Sequence, residues 1–209
     1  MRVFGVDPKL YANRFSRNGY VYIPFALTDE MALSIMDFYR DIEAGSGPDV
    51  YRYDFTDEQL DEIRTFYGVV AGIGNELTIS RNYLNIYHEI ETHPHKDRLS
   101  LAYNMGLGLL SGPNSRVMLW PEASLEENTG ENYGDYVRRV GGQDKITEEL
   151  SKSAPISLAL DLGDVVLFPG NRMYHHRLNP AGTVIYYFSF NETGMADRGP
   201  NRFERSQAA

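Results

Sequence analysis

The amino-acid sequence predicts an α+β, mainly β protein in which helices come first and a β-core follows. Up to about residue 75, apolar residues recur at helical spacing between cap and stop signals. From Leu77 to Glu192 the chain reads instead as short apolar runs separated by Gly, Pro and Asn, the pattern of a β-sandwich or barrel. This segregation implies helices that buttress one face of a sheet. At 209 residues the simplest organisation is one domain, 1–209, large enough to bury a core without covalent staples.

In order, Asp7-Pro8 opens a helix that runs to about Ser16, with the aspartate as cap and the proline in the first turn. Tyr20–Pro24 reads as a strand. Thr28 starts a second helix carrying Met31, Leu33, Ile35, Met36 and Phe38, and Gly45-Ser46-Gly47-Pro48 stops it. Thr56 with Gln59 fits a capping box for a third helix reaching towards Ala71. The strand-like runs are 83–90, 99–110, 116–120, 155–161, 164–168 and 183–190. Residues 121–153 interrupt them with polar sequence and a helix from about Asp144 to Lys152. An insertion of that length between core strands is expected to be a lid or binding loop. The tail from Gly194 has little apolar content and is expected to be mobile.

Composition excludes several classes. The chain has no cysteine, which removes disulfides, thiolate metal sites and cysteine nucleophiles. A net charge of −9 argues against a nucleic-acid partner, because such binding relies on Lys and Arg. No run approaches the roughly 18–20 apolar residues of a membrane span, and the N-terminus lacks an apolar signal core. A cytoplasmic protein without a membrane partner is the expectation. No Gly-rich phosphate loop and no Gly-x-Ser-x-Gly elbow is present.

The chemistry concentrates in Arg81–Asp97 (RNYLNIYHEIETHPHKD) and Leu162–Pro180 (LGDVVLFPGNRMYHHRLNP). In an extended chain His93, His95 and Asp97 share one side, and His95 with Asp97 can grip one divalent metal. Two histidines and one carboxylate on one face leave three coordination positions open. The third ligand then comes from His175-His176. Adjacent strand residues point opposite ways, so only one of these two faces the metal.

These segments resemble the Fe(II)- and 2-oxoglutarate-dependent dioxygenases. Pro94–Asp97 (PHKD), a few residues after Tyr87, resembles the proximal motif of that family. GDVVLFPG, a histidine and Asn179-Pro180 resemble the distal one, and FSRNGYVYIP followed by TDEMA resembles the opening of the phytanoyl-CoA dioxygenase-like branch. The resemblance implies a double-stranded β-helix (jelly-roll, cupin-like) core. It implies Fe(II) held by His95, Asp97 and His176, His176 being favoured because it lies four residues before Pro180. It also implies 2-oxoglutarate as co-substrate, O2, and oxidation, by default hydroxylation, of a C–H bond in a small-molecule substrate. The retained aspartate argues against halogenation.

Asn85-x-Tyr87 resembles a pair that contacts 2-oxoglutarate in several branches; on a strand the two share a face, with Tyr83 and Arg81 continuing the row. The plain alternative is a tyrosine-rich sheet face in a chain with 15 tyrosines. The sequence departs from the family on the last strand, Thr183–Phe190, which has no Arg or Lys to hold the distal carboxylate of 2-oxoglutarate. Tyr186 or Tyr187 occupies that region, and Arg81, Arg116, Arg172 and Arg177 are the candidates from elsewhere. A cupin-type metalloenzyme that does not use 2-oxoglutarate, with His93, His95 and His175 as ligands, fits many of the same residues. A non-catalytic β-helix binding protein is the third reading.

Overall fold

A computed structural model describes residues 1–43, 51–74, 76–87 and 93–192. The expected stop at Gly45–Pro48, the end of the expected strand 83–90 and the tail from Gly194 lie outside the described residues. The helices form where local chemistry specifies them. In α1 (Lys9–Asn18) the Asp7 carboxylate accepts the Lys9 amide at 3.0 Å, and Gly19, at φ 74°, closes the last turn onto the Phe15 carbonyl. In α2 (Asp29–Glu43) the Thr28 hydroxyl accepts the Met31 amide at 3.2 Å. The capping box of α3 (Asp57–Ala71) is complete: Thr56 Oγ1 accepts from Gln59 N and Gln59 Oε1 accepts from Thr56 N.

The strands are β1 (Val21–Ile23), β2 (Leu77–Tyr87), β3 (Tyr103–Leu110), β4 (Arg116–Trp120), β5 (Ile156–Leu158), β6 (Val165–Phe168), β7 (Tyr174–Leu178) and β8 (Thr183–Glu192). They make two antiparallel sheets, ordered β1-β6-β3-β8-β2 and β5-β4-β7. This is the open double-stranded β-helix arrangement, not a closed barrel. Expectation and structure differ most at three places. β2 begins at Leu77 rather than residue 83, and a bulge between Ile79 and Arg81 breaks the alternation that marks a strand in sequence. Residues 99–101 form a 3-10 turn ahead of β3. β7 lies in none of the apolar runs, because YHHRL is polar by composition.

Alternation divides the residues among three cores. Val184, Tyr186, Phe188 and Phe190 of β8 face α1–α3 and bury with Met31, Ile35, Ile63, Phe66 and Tyr67. On the other face Val166, Phe168 and Ile185 meet Val117 and Leu119 between the sheets. The insertion 121–153 forms α4 (Tyr133–Arg139) and α5 (Gln143–Leu150), whose Tyr136 and Ile146 pack with Trp120 and Tyr174 on the outer face of the smaller sheet. Each buried aliphatic or aromatic side chain stabilises these contacts by about 1.5–3 kcal/mol. Among the described residues, no helix is long and apolar enough to cross a membrane.

Candidate metal centre

Two segments from opposite ends of the β-core meet at one place. His95 and His175 exchange both backbone hydrogen bonds, 3.1 and 3.0 Å, and the Asp97 amide donates to the Gly170 carbonyl at 2.8 Å. This pairing fixes which side chains turn inward. Ligand atoms of His95, Asp97 and His175 all lie within 4.8 Å of one another. His175 Nε2 is 3.4 Å from Asp97 Oδ2, and His95 Nε2 is 3.8 Å from Asp97 Oδ1.

Each imidazole is oriented by its other nitrogen. His95 Nδ1 lies 2.8 Å from the His93 carbonyl and His175 Nδ1 lies 3.0 Å from the Met173 carbonyl. A carbonyl only accepts, so both Nδ1 atoms carry the proton when the rings are neutral, and both Nε2 lone pairs point at the cluster. Asp97 is held in turn. Its Oδ2 accepts from the Asn104 amide, whose own oxygen accepts from the Ser189 hydroxyl at 2.8 Å. A Cβ on Gly170 would lie 2.7 Å from Asp97 Oδ2, so only glycine lets the turn approach the carboxylate.

The electrostatics follow from this packing. Burial pushes the Asp97 carboxyl up, but the charge and hydrogen bond of His175, the charge of His95 and the Asn104 bond outweigh it, holding the group well below the usual carboxylate range. Burial, then the neighbouring His175, lower the His95 pKa; Asp97 and the His93 carbonyl oppose this only in part. Asp97 is therefore ionised, and burial disfavours the charged form of His95; an ionised carboxylate is what a divalent cation requires of this ligand.

His176, the expected distal ligand, is not in the cluster. Its ring turns to the opposite face of β7 and lies 5.5 Å from that of Trp120. The spacing to Pro180 favours His176, whereas side-chain parity on β7, set by the cross-strand partner His95, brings His175 to the cluster. His93 is exposed and contributes only its carbonyl, so the cupin-type set is not assembled either.

The cluster opens into a cavity of about 180 Å3. Arg81, Tyr83, Asn85 and Tyr87 line it from alternate positions of β2, the row that alternation predicts. On β8, Tyr187 faces the cavity, whereas Tyr186 faces the helices and donates its hydroxyl proton to Asn82 Oδ1 at 3.0 Å. Of the four arginines, Arg81 and Arg177 line the cavity. Arg116 instead donates to the Ser115 carbonyl, and Arg172 pairs with Glu127 at 3.0 Å. Arg177 is 3% exposed, donates to the Tyr187 hydroxyl at 3.3 Å and lies 5.8 Å from the centre of the Tyr87 ring. Asn104 and Ser189 had no sequence signal beyond being polar residues at inward positions of apolar strands.

No protein-family model and no curated protein matches the sequence. Solved structures match over nearly the whole chain. The non-haem α-ketoglutarate-dependent carbocyclase SnoK from nogalamycin biosynthesis superposes with a TM-score of 0.66 at 15% identity, covering 98% of this chain and 92% of its own. The epimerase SnoN, in complex with Fe3+, α-ketoglutarate and nogalamycin RO, gives 0.57 at 16% identity over 93% and 92%. EctD from S. alaskensis, with 2-oxoglutarate and 5-hydroxyectoine, gives 0.57 at 13% over 92% and 83%. At this level of identity the likeness establishes the shared double-stranded β-helix fold.

Proposed function

We propose that the chain is an Fe(II)- and 2-oxoglutarate-dependent oxygenase that oxidises a C–H bond of a small molecule. The observation that carries this reading is the His95–Asp97–His175 cluster. Its Nε2 and carboxylate atoms converge on one point inside a cavity in the fold shared with SnoK, SnoN and EctD. An octahedral ion with ligand bonds of about 2.1 Å has cis ligands about 3 Å apart; His175 Nε2 and His95 Nε2 lie 3.4 and 3.8 Å from the Asp97 oxygens, so a small inward shift of the side chains would complete the site. Two imidazoles and one carboxylate suit non-haem Fe(II) and leave three positions free. With O2 and 2-oxoglutarate, such a centre supplies oxidative decarboxylation coupled to substrate oxidation.

The residues around it have separable tasks in this reading. His95, Asp97 and His175 hold the ion, and the His93 and Met173 carbonyls keep both Nε2 atoms available to it. Asn104 and Ser189 keep the carboxylate in place. Arg177 points into the cavity two residues beyond His175, about 7 Å along the strand. It meets the distal carboxylate of 2-oxoglutarate, with Asn85, Tyr87 and Tyr187 beside it. β7 thus carries both a metal ligand and the anion anchor, and this answers the lack of a basic residue on β8. A buried dicarboxylate needs such a cation, since an unpaired ionised carboxylate is costly away from water.

Anaerobic titration with Fe(II) and then 2-oxoglutarate tests the reading. The expected result is a weak visible charge-transfer band that is lost in His175→Ala and retained in His176→Ala. Metal binding without the band would favour a metalloenzyme that does not use 2-oxoglutarate. Loss of the band in His176→Ala but not His175→Ala would reverse the ligand assignment.

A further inference from the structure

Lys96 sits between two residues of the metal cluster and points away from both. Alternation sends His95 and Asp97 into the cavity and Lys96 to the outer side, where the insertion 121–153 lies. There the side chain is 2% exposed. Its ammonium donates to the Leu125 carbonyl at 2.6 Å and the Glu126 carbonyl at 3.1 Å, and lies 4.8 Å from the centre of the Tyr174 ring. Burying a lysine is expensive unless acceptors replace water, and here the acceptors belong to the insertion.

The same loop is tied to both ligand-bearing segments. Tyr136 donates to the Glu126 carbonyl at 2.9 Å and accepts from Tyr174, one residue before His175. The Tyr133 hydroxyl lies 3.1 Å from the carbonyl of Pro94, one residue before His95, and shares its proton between that oxygen and Gln143 Oε1 at 3.0 Å. The Asn128 amide donates to the Asn171 carbonyl at 2.9 Å, and Glu127 pairs with Arg172. Those contacts adjoin Gly170, whose carbonyl receives the Asp97 amide. An element that closes and opens over a site would not be fastened to it by a buried ammonium.

We propose that the insertion is a fixed brace of the metal centre and that Lys96 is the positioning residue coupling the two. This rests on the metal reading above. Residues that orient metal ligands typically alter affinity 10–100-fold when removed, and because coupling is reciprocal, metal binding must in turn stabilise the insertion.

The test uses Co(II) as probe on the full chain. Lys96→Met is expected to bind Co(II) 10–100-fold more weakly than the unaltered protein at temperatures where both are folded. Tyr133→Phe, which leaves the buried charge in place, is expected to lose a few-fold. In the unaltered protein Co(II) should slow hydrogen exchange of amides 125–131, and Lys96→Met should lose that slowing. A merely structural lysine would lower the thermal midpoint and leave the affinity of the folded protein unchanged. Equal affinity in Lys96→Met, or exchange over 125–131 that ignores Co(II), overturns the proposal. If Lys96→Met does not fold, Tyr133→Phe and the exchange experiment on the unaltered protein decide. Co(II) coupling without an Fe(II)–2-oxoglutarate band would sink the oxygenase reading and leave the brace standing. No Co(II) binding by the unaltered protein removes both.

Discussion

Two adjacent histidines on β7 have opposite fates because a strand turns successive side chains to opposite faces. His175 turns to the cluster and Arg177 to the cavity; Tyr174 packs with Trp120 under the insertion, and the His176 ring lies beside Trp120 although the residue also borders the cavity. One register shift would exchange the two sets, so the bridge from His95 fixes the proposed ligand and the proposed anchor together. In the proposed reading Arg177→Met therefore removes the anion anchor without touching the metal. Breaking a buried charge pair costs about 2 kcal/mol or more, a loss of roughly 30-fold in 2-oxoglutarate affinity. Fe(II) affinity should stay unchanged. Binding of 2-oxopentanoate, which has the same 2-oxo acid head and no distal carboxylate, should change little. An equal loss for both acids would show that Arg177 acts through the fold and not on the distal carboxylate.

Among the elements, those specified by near neighbours were legible in the sequence. Thr56 with Gln59 marks the start of α3, and Arg116–Trp120 marks β4, because a cap and an apolar run are both local. The polar strand β7, the bulge before Arg81 and the inward turn of His175 depend on partners about 55 to 110 residues away, and no local pattern encodes those. The insertion shows both cases. A helix was expected from about Asp144 to Lys152 and α5 spans Gln143–Leu150, but attachment to Lys96 was not visible because a single lysine between two candidate ligands reads as solvated. Within that insertion Glu149 accepts from Ser124 N at 3.0 Å, Ser124 Oγ at 2.6 Å and Lys152 Nζ at 2.7 Å. The Lys152 bond first, then those from Ser124, lower its pKa from about 4.5 to about 2. A depressed folded-state pKa stabilises above the unfolded value and loses that contribution as pH falls towards the folded value. Stability should therefore decline between about pH 4.5 and pH 2, and Glu149→Gln should flatten that part of the profile. Trp120, the single tryptophan, lies in the same cluster, so its fluorescence in denaturant titrations at each pH reads the effect. An unchanged slope in Glu149→Gln would assign the acid limb to other carboxylates.

At the scale of the whole molecule, the five-stranded sheet separates two duties. One face of β8 buries Val184, Tyr186, Phe188 and Phe190 against the helices; the other presents Ile185, Tyr187 and Ser189 to the inter-sheet space or the cavity. Most of the apolar burial lies on the helical side, so the layer that stabilises the fold is set back from the layer that holds the chemistry. Tyr67 is one link across the sheet, donating to the Phe168 carbonyl at 3.1 Å, while the Phe168 ring lies 4.7 Å from that of His175. Phe66, its neighbour on α3, points elsewhere and stacks on Phe4 with ring centres 3.8 Å apart. Phe66→Ala should cost about 3–5 kcal/mol in chemical denaturation, the usual loss for emptying a buried aromatic site. At temperatures where the variant remains folded, its Fe(II)–2-oxoglutarate band should titrate within two-fold of the unaltered protein. If affinity falls together with stability, the helices position the site as well as support it, and the separation of layers fails. If stability falls alone, the N-terminal helices serve the site only by keeping the sheet folded, and its geometry is set by β-register, the turn at Gly170 and the brace at Lys96.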